Sequence, residues 1–388
     1  MLRQWLTKLE PVHRAASREE LEAVYRFRYT VYYEEYGRSL GIVNHDKRWV
    51  WDEEDETEFA TILYTGSPSD VTGTVRLRHW PPGAVPEHIL HELSMDVLPD
   101  IERRHTAEIG RFMIRKGLRG RLLLASFARE AYDLLCGEQG SELIFCYCAP
   151  GLVHYYRKLG ARPFGGRLVP TPDGAMVPLV SVVSDYDYFR RSGSLMAPLV
   201  RRHFGPGKRE PVDLEPYLPF FESDNQPVEV DPEQVWGALQ EAVVEDDSAA
   251  ASFADSLPEP TLKKLTERGF IVNVTAGTLV TRQGYGEEEM FIILDGIFEA
   301  RDGERLLRLM TTGELFGELA FFIPGHRRTA SVVAASDGRL LALRGKTLRD
   351  LIDVDPQSAA HVLLRLGRIM AERLATGSAP SPEGDGED

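Results

Sequence analysis

Apolar positions recur at helical spacing in the first half of the chain and collect into short runs between glycines in its last third. Residues 17–35, SREELEAVYRFRYTVYYEE, carry helix-spaced apolar residues behind a Ser17–Glu20 capping box, which predicts a helix. EFATILYT and GTVRLRHW, joined by GSPSD, predict two strands. RGRLLLASFAREAYDLLCGEQG predicts a helix that ends at Gly137 or Gly140. SELIFCYCA predicts a buried strand, and LVHYYRKLG a short helix that Gly160 stops.

The order and spacing of these elements divide the chain into regions. Helix-like and strand-like segments alternate over 11–200, which predicts an α/β domain with a mixed sheet and flanking helices. Short strands separated by glycines over 251–376 predict a small β-barrel of the jelly-roll type with flanking helices. The Pro-rich, acidic stretch 201–250 reads as a connector, and 377–388 as a disordered acidic tail.

Composition narrows the classes of protein. The 388 residues leave room for two or three domains, and a formal net charge of −15 argues against a nucleic-acid partner or an anionic membrane surface. Because no apolar run approaches a membrane span or a signal-peptide core, we expect a cytoplasmic protein without an integral membrane segment. The cysteines Cys136, Cys146 and Cys148 lack the companion ligands of a metal site, so we expect them reduced and buried, and no metal.

The stretch FGELAFFIPGHRRTASVV, 316–333, concentrates groups that bind an anion. Gly317 lets the backbone approach closely, the turn into a short helix offers amides, and an arginine on the next strand supplies a forked cation for phosphate. Glu318 would repel phosphate but accepts hydrogen bonds from a sugar hydroxyl. The set therefore indicates a sugar phosphate with a free hydroxyl beside the phosphate. On these residues alone, a glycine turn followed by a solvated basic pair is an equal alternative.

With its surroundings, this cassette resembles the cyclic-nucleotide-binding domain shared by bacterial catabolite activators, cyclic-nucleotide-dependent kinases and ion channels, over roughly 251–376. The resemblance implies that Glu318 holds the ribose 2′-hydroxyl and that one arginine holds the cyclic phosphate. Arg328, ten positions after Glu318, keeps RTASV in register, whereas Arg327 does not. Thr329 is compatible with both cAMP and cGMP. The implied binding set is Phe316, Gly317, Glu318, Leu319, Ala320, Arg328, Thr329 and Ala330.

The segment after the cassette bears on the class of protein. TLRDLIDVDPQSAAHVLLRLGRIMAERLATG suffices for the closing helices of such a domain, but it is too short for a DNA-reading module. Together with the acidic net charge, this makes a DNA-binding regulator an unfavoured interpretation.

The first half carries its candidate chemistry in scattered motifs: WDEEDETEFA, GTVRLRHW, EIGRFMI and APGLVHYYRKLGARP, in that order. Taken one by one they have ordinary explanations. Glu108 and Arg111 would form a surface ion pair, Tyr156 would be a buried tyrosine, and Asp52 and Asp55 would belong to a solvated acidic loop.

Together, the motifs resemble the GNAT superfamily over about 15–180, in particular the branch of acyl-homoserine-lactone synthases and N-acyl amino acid synthases. The D-x-x-D loop is matched by Asp52 and Asp55, and the EIGRF strand by 108–112. G-T-x-R-L is matched at 73–77 through Arg76, and Y-x-x-L-G at 156–160. Tyr32 or Tyr36 stands where lactone synthases carry a Phe and Trp pair, a departure that counts against lactone formation.

The resemblance also implies roles. Glu108 would accept the proton of an amine nucleophile and Tyr156 would protonate the leaving thiolate, while main-chain amides where two strands splay apart would polarise the thioester carbonyl. Arg76, Arg111 and Asp52, with Asp55, would order the acidic loop and the acceptor. The superfamily's pyrophosphate loop appears only as RKGLRGRLLL, where a large Leu122 replaces a small residue. Its donor-binding candidates are Arg115, Gly117, Arg119 and Gly120.

The hypothesis is a cyclic-nucleotide-controlled N-acyltransferase that moves an acyl group from acyl-CoA or an acyl carrier protein to an amine, expected to be that of an amino acid. Its nucleotide would reposition the closing helices and shift the acidic connector relative to the catalytic cleft. One alternative is a cAMP-responsive protein-lysine acetyltransferase. Another is a non-catalytic nucleotide sensor on a degenerate acyltransferase fold.

Overall fold

A mixed sheet forms the centre of the N-terminal half in this computed structural model, which describes residues 10–38, 41–118, 121–166, 168–171, 174–205, 207–221, 257–266, 269–286, 288–323 and 326–377. Within those ranges the sheet has eight strands in the order β1-β4-β5-β6-β7-β10-β8, with β9 paired to β10, and β2 and β3 form a separate hairpin. The strands are β1 (Val12–Arg14), β2 (Val43–Asn44), β3 (Trp49–Val50), β4 (Ala60–Ser67), β5 (Asp70–Trp80), β6 (Thr106–Ile114), β7 (Leu143–Cys148), β8 (Arg162–Pro163), β9 (Val169–Thr171) and β10 (Gly174–Val182).

Two central strands of this sheet separate partway along their length. β6 and β7 run parallel, but their pairing covers only Thr106 to Glu108 against Leu143 to Phe145. Beyond Glu108, β6 stays on β5 while β7 stays on β10. A V-shaped gap therefore opens between the strands that carry EIGRF and LIFCYC, as the sequence predicted.

Helices and turns cover the sheet. The helices are α1 (Arg18–Tyr29), α2 (Glu87–Glu92), α3 (Arg121–Tyr132), α4 (Val153–Arg157), α5 (Tyr186–Arg191) and α6 (Ala197–His203). α1 continues as a π-helical turn over Thr30–Glu35, and α3 continues as another over Asp133–Glu138. Shorter 3₁₀ turns lie at Glu53–Glu56, Met95–Val97, Ile101–Arg103, Pro150–Leu152 and Glu215–Phe220. The predicted helix over 17–35 is thus correct in extent but changes winding after Tyr29.

The C-terminal half is a sandwich of two sheets, with four strands each in the described ranges, in the orders β11-β18-β13-β16 and β12-β17-β14-β15. Its strands are β11 (Phe270–Val274), β12 (Leu279–Thr281), β13 (Glu289–Asp295), β14 (Phe298–Asp302), β15 (Arg305–Met310), β16 (Leu315–Phe316), β17 (Ser331–Ala334) and β18 (Gly338–Arg344). The helices are α7 (Glu259–Thr266), α8 (Leu319–Phe322), α9 (Gly345–Val354) and α10 (Pro356–Gly377). The predicted fold class, a mixed α/β domain followed by a β-rich jelly-roll fold with flanking helices, is confirmed.

The two halves share one hydrophobic cluster. Cys148 and Val153 of the first half are buried in the same cluster as Phe270 and Val280 of the second. Gly174 at the start of β10 lies so close to β12 that a Cβ there would come within 2.8 Å of the Val280 carbonyl oxygen. The sandwich therefore packs directly on the end of the mixed sheet that carries β7, β10 and α4.

Residues beyond 200 partly belong to the N-terminal core. Phe204 and Val212 are buried, as are Tyr217 and Phe221, all in clusters with residues of the mixed sheet and its helices. The connector predicted over 201–250 stays a prediction, and its part from 222 onward lies outside the described residues, as does the acidic tail from 378. Among the helices that the structure describes, none combines the length and the apolar character needed to cross a bilayer.

The N-terminus of α1 is fixed by the predicted capping box. Glu20 Oε2 accepts hydrogen bonds from the amides of Ser17 (2.8 Å) and Ala16 (3.0 Å), and Glu20 Oε1 accepts one from the Tyr64 hydroxyl (2.8 Å). These bonds, the Ser17 and Ala16 amides first, lower the pKa of Glu20 to about 2. The carboxylate thus ties α1 to β4.

We expect Glu20→Gln to lower the thermal unfolding midpoint of the N-terminal half by roughly 2–4 °C at pH 7. The folded-state pKa of Glu20 is depressed, so its contribution is fully present above the unfolded-state pKa of about 4.3 and fades as the pH falls toward 2. The difference between variant and wild type should therefore shrink between about pH 5 and about pH 2.5 in scanning calorimetry. Glu19→Gln, which removes a charge from the same turn, is the control. A difference that stays constant with pH would contradict the assignment.

Candidate functional sites

A cavity of about 230 Å³ lies inside the C-terminal sandwich, where the FGELA turn meets the RTA segment that leads into β17. Seven of the eight residues predicted from the cassette line it: Phe316, Gly317, Glu318, Leu319, Arg328, Thr329 and Ala330. Ala320, the eighth, follows Leu319 in α8. The structure therefore brings the predicted residues together around one space.

Arg328 is a buried cation that lines this cavity. Its residue is 7% exposed, and its Nη1 donates only a long hydrogen bond, 3.4 Å, to the Gly317 carbonyl. The Nε and Nη2 atoms are buried and have no hydrogen-bond partner within the described ranges. A buried guanidinium with unused donors suits a phosphate, which accepts bidentate hydrogen bonds from this group.

Gly317 makes room for that guanidinium. Its φ is +83°, in the left-handed region, and a Cβ built on it would overlap Arg328 Nη1 and lie 2.7 Å from the Glu289 carbonyl oxygen. Any side chain at this position would therefore displace Arg328 as well as strain the turn. Glu318, 8% exposed, follows directly and lines the same cavity, where a ribose hydroxyl would reach its carboxylate.

Arg327 lies in the loop before β17 and does not line the cavity. It is exposed, and its guanidinium occupies the space beside Gly37 of the N-terminal half, where an added Cβ would overlap Arg327 Nη1. The basic pair is thus divided between the cavity and the neighbouring half of the chain. Both residues precede β17 (Ser331–Ala334), so the division is made in a loop and not on a strand.

The motif did not identify every residue of this cavity. His326 also lines it, and its Nε2 is buried without a hydrogen-bond partner in the described part of the chain. Leu307 and Arg308 of β15 and Ala300 of β14 also line this space. His326 precedes the recognisable RTA pattern, and the β14–β15 residues are distant in sequence, so only the fold brings them to the cassette.

The gap between β6 and β7 holds a second cavity, of about 90 Å³ and largely apolar. Tyr156 and Cys146 line it at the splayed strands, and Phe127, Phe189 and Met196 contribute further apolar walls. α4 presents Tyr156 to this space, and burial is the main cause that raises the pKa of the phenol well above its ordinary value. Tyr156 therefore stays protonated at neutral pH, as a proton donor must.

Glu108 lies at the point where β6 and β7 separate. The residue is 4% exposed, and its Oε2 accepts a hydrogen bond from Arg78 Nε, with Arg76 Nη2 at 3.8 Å. The other oxygen folds back over Gly110, where an added Cβ would overlap it. The simple Glu108–Arg111 surface pair considered from the sequence is wrong, because Glu108 is buried and pairs with Arg78 and Arg76.

Arg111 instead pairs with Asp52, at 2.5 Å between Nη2 and Oδ2, while Arg76 Nη1 lies 2.7 Å from Asp52 Oδ1. Although burial alone would raise the pKa of Asp52, these two guanidiniums hold it below its usual value. Burial would likewise lower the pKa of Arg111, but Tyr32 and Asp52 outweigh it and raise that pKa. Arg111 has a φ of +52°, at an irregularity in the β5–β6 ladder.

Asp55 belongs to the same group of charged side chains as Asp52 and Arg76. Its side chain and that of Arg28 are both fully buried, and Arg28 Nη1 lies 2.7 Å from Asp55 Oδ2. Asp55 also lies 3.5 Å from Arg76. The solvated acidic loop considered from the sequence is therefore wrong for Asp52 and Asp55, which form the core of an ion-pair network.

Arg78 and Glu54 complete that network, although the motifs did not single them out. Arg78 Nη1 lies 2.7 Å from Glu54 Oε2, and its side chain is 1% exposed. Burial would lower the pKa of Arg78, but the carboxylates of Glu108 and Glu54 raise it. The alternation in GTVRLRHW places Arg76 and Arg78 on one face of β5, and this signal could have found Arg78.

Two of the four acyl-donor-binding candidates, Arg115 and Gly117, lie among the described residues. Arg115 pairs with Asp70 at 2.5 Å and donates to the Val71 carbonyl at 2.6 Å, and Gly117 has a φ of +89°. Arg119 and Gly120 lie outside the described residues. No group of three or more His, Cys, Asp or Glu side chains is arranged to hold a metal ion in the ranges that the structure describes.

Two family models match the chain. One is described as N-acyl amino acid synthase FeeM and matches residues 23–181, and the other is described as cyclic nucleotide-binding domain and matches residues 271–355. The FeeM family has a GNAT-like acyltransferase fold. The first match covers the mixed sheet and its ion-pair network, and the second covers the sandwich and its cassette.

Curated relatives align with a smaller share of the chain. It is 33% identical to cyclic nucleotide-gated channel beta-3 of Homo sapiens over 115 residues, which is 28% of this chain and 14% of the channel. It is 29% identical to the cAMP-activated global transcriptional regulator CRP of Salmonella typhimurium over 121 residues, which is 30% of this chain and 56% of the regulator. The alignments thus span less than two thirds of these relatives.

Solved structures also resemble part of the chain. One is described as "A cyclic-GMP-dependent signalling pathway regulates bacterial phytopathogenesis"; it is 28% identical, with a TM-score of 0.27, over 31% of this chain and 95% of that one. Another is the Thermus thermophilus catabolite activator protein, 25% identical, with a TM-score of 0.29, over 33% of this chain and 60% of that one.

Arg328→Ala should weaken binding of cAMP or cGMP roughly 10- to 150-fold in calorimetric titration, because it removes a buried charged donor from the phosphate. Arg327→Ala removes the same charge one residue away and outside the cavity, and should keep the affinity within about tenfold. The opposite order, with Arg327→Ala the weaker binder, would overturn the choice of Arg328.

Proposed function

Because the chain joins an N-acyl amino acid synthase domain of the FeeM family to a cyclic nucleotide-binding domain, we propose that it is an N-acyltransferase whose rate a cyclic nucleotide controls. It would move an acyl group from an acyl thioester, either acyl-CoA or an acyl carrier protein, to the amine of an amino acid. The observation that carries this proposal is the apolar cavity between β6 and β7, bordered by Tyr156 and adjoining the buried ion-pair network at Glu108.

The cavity favours a hydrocarbon acyl chain over an acetyl group. Its walls are aliphatic and aromatic from Ile109 and Phe112 on β6 to Phe189 and Met196 beyond α4. Each methylene buried there would contribute about 0.8 kcal/mol to donor binding, whereas an acetyl group would leave most of this surface without a partner. This contrast supports the synthase interpretation over a protein-lysine acetyltransferase.

The reaction would proceed by direct transfer. The amine nitrogen attacks the thioester carbonyl, its proton passes to Glu108 directly or through a water, the C–S bond breaks, and Tyr156 protonates the thiolate. β6 has no described strand partner on its β7 side beyond Glu108, so main-chain amides near Arg111 are positioned to stabilise the oxyanion. The ladder irregularity at Arg111 fits this role, because β-bulges re-aim backbone groups beside active sites.

The acceptor's carboxylate would bind at Arg111. Of the network's four arginines, Arg111 has the most accessible side chain, 21% exposed, against 6% for Arg76 and at most 1% for Arg78 and Arg28. The buried guanidiniums hold the loop, and the exposed one can reach a ligand. Asp52 would keep Arg111 oriented for that contact.

The sandwich would bind the regulator. Arg328 and the amides at the start of α8 would hold the cyclic phosphate, Glu318 the ribose hydroxyl, and Thr329 would lie beside the phosphate and base. cAMP and cGMP both satisfy this chemistry. Since the sandwich packs on the strand ends that frame the acyl cavity, occupancy of one site is physically placed to affect the other.

Purified full-length protein should release free thiol from a long-chain acyl-CoA or acyl carrier protein when amino acids are present. The rate should change when cAMP or cGMP is added, because the two sites share a packed core. Mass spectrometry should identify an N-acyl amino acid. Modified protein lysines without a small-molecule product would instead indicate the acetyltransferase alternative, and no turnover with any donor would contradict the proposal.

Tyr156→Phe and Glu108→Gln should each lower kcat about 10²- to 10⁴-fold, because each removes one proton-transfer group. The neighbouring change Tyr155→Phe is the control, because Tyr155 does not line the acyl cavity and should leave kcat within about threefold. The kcat of each variant is measured from the release of free thiol over time. A wild-type kcat in both Tyr156→Phe and Glu108→Gln would rule out the assigned roles.

A further inference from the structure

The π-helical turn that follows α1 places an aromatic side chain beside Arg111. Tyr32 lies on this turn, and the Arg111 guanidinium carbon is 5.8 Å from the centre of its ring. Tyr32 also contributes to the raised pKa of Tyr156, after burial and the Cys148 and Cys146 thiols. The ring of Tyr32 therefore lies beside the proposed carboxylate-binding arginine.

The end of the same turn is held by the C-terminal sandwich. The Gly286 amide donates a 2.8 Å hydrogen bond to the Tyr36 carbonyl. Gly37, with a φ of +69°, leaves the space that the Arg327 guanidinium fills, and a Cβ there would also lie 2.8 Å from the Gly284 carbonyl oxygen. We name residues Thr30 to Gly37 the Tyr32 turn.

The sandwich loop that makes these contacts is also hydrogen-bonded to the main chain of Arg328, the proposed phosphate ligand. The Arg328 amide donates to the Tyr285 carbonyl at 2.8 Å, and the Gly284 amide donates to the Arg328 carbonyl at 2.8 Å. The guanidinium that faces the nucleotide cavity is thus linked to the Tyr32 turn through one short loop and its main-chain hydrogen bonds.

A second contact joins the cassette to the other wall of the cleft. Glu289 lies with its carbonyl against Gly317 and its side chain against Gly151, where a Cβ would be 2.8 Å from Glu289 Cγ and 2.6 Å from Arg344 Cγ. Gly151 belongs to the 3₁₀ turn that leads directly into α4 and Tyr156. Arg327 of the cassette and Glu289, whose carbonyl lies against Gly317, therefore contact the two elements that carry Tyr32 and Tyr156.

The closing helices pack on the C-terminal sandwich. α9 and α10 pack through Leu351 and Val362 on Met290 and Ile292 of β13, in a cluster that contains no residue of the N-terminal half among those described. The loop contact is therefore a direct physical route from the cassette to the Tyr32 turn, in addition to the route through the closing helices considered from the sequence.

We propose that Arg327 is a positioning residue for acyl transfer: with the Gly284–Gly286 loop it holds the Tyr32 turn in place, so that a cyclic phosphate bound by Arg328 alters turnover by shifting this loop. This inference rests on the proposed regulated acyltransferase and specifies how its two sites are coupled. A π-helical segment is a suitable responder, because such turns are rare and are frequent at functional sites. Both sites then bias one element, which is the physical requirement for coupling.

The test compares full-length wild type, Arg327→Ala and the control Arg339→Ala. Arg339 lies on β18 at the end opposite Arg344, so its replacement removes the same charge from the sandwich away from the Tyr32 turn. Hydrogen exchange of peptides covering 30–38 is measured with and without saturating cAMP or cGMP, alongside nucleotide affinity and kcat. In wild type and Arg339→Ala, the nucleotide should change exchange in this segment at least about threefold and should change kcat. In Arg327→Ala both responses should be lost, while nucleotide affinity stays within about tenfold.

Each outcome bears on one proposal. If no variant turns over substrate but exchange in 30–38 still responds to nucleotide through Arg327, the coupling stands and the catalytic assignment falls. If wild type turns over substrate and Arg327→Ala retains the full nucleotide response, the coupling through Arg327 is wrong and the enzyme assignment stands. Exchange in 30–38 that ignores a bound nucleotide in wild type would also overturn the inference. Arg327→Lys, which keeps the charge but not the planar guanidinium against Gly37, should give an intermediate response if packing carries the coupling.

Discussion

The N-terminal half depends on a buried network of guanidiniums and carboxylates around Asp52 and Asp55. Arg28 and Asp55 are both fully buried, and removing Asp55 would leave the buried Arg28 guanidinium without its ion-pair partner, at a cost of about 3–5 kcal/mol. The members come from α1, the 52–56 turn, β5 and β6, so the network closes only when all four elements are in register. One arrangement of the cleft is thereby selected, and the partly exposed Arg111 is held at its rim.

Several elements of the fold and of the nucleotide cassette could be predicted from the sequence. The capping box at Ser17, the strand pair around GSPSD and the short helix before Gly160 follow from local propensity and turn chemistry, and the structure has each of them. The cassette residues also lie together, because FGELA and RTA are short, contiguous motifs whose spacing is set within one fold. The splay of β6 from β7 follows from the resemblance that the motifs carried.

Other features depend on contacts between distant residues. Helical spacing cannot distinguish π from α winding over so short a segment, so the change after Tyr29 was not visible. The partners of Glu108 were misassigned because sequence proximity suggested Arg111, whereas a strand register pairs Glu108 with Arg78. Likewise, His326 and the packing of Arg327 against Gly37 require the tertiary arrangement of both halves.

The glycines at the contact between the halves limit how this chain can change over evolution. Gly37 and Gly151 leave space that side chains from the other half occupy, Arg327 in one case and Glu289 with Arg344 in the other. Neither half can accept a larger residue there unless the other half changes with it. The C-terminal sandwich is therefore not an exchangeable module: a homologous sandwich grafted onto this N-terminal half would need matching residues at these two points, and sequences that keep the pairing should vary them jointly.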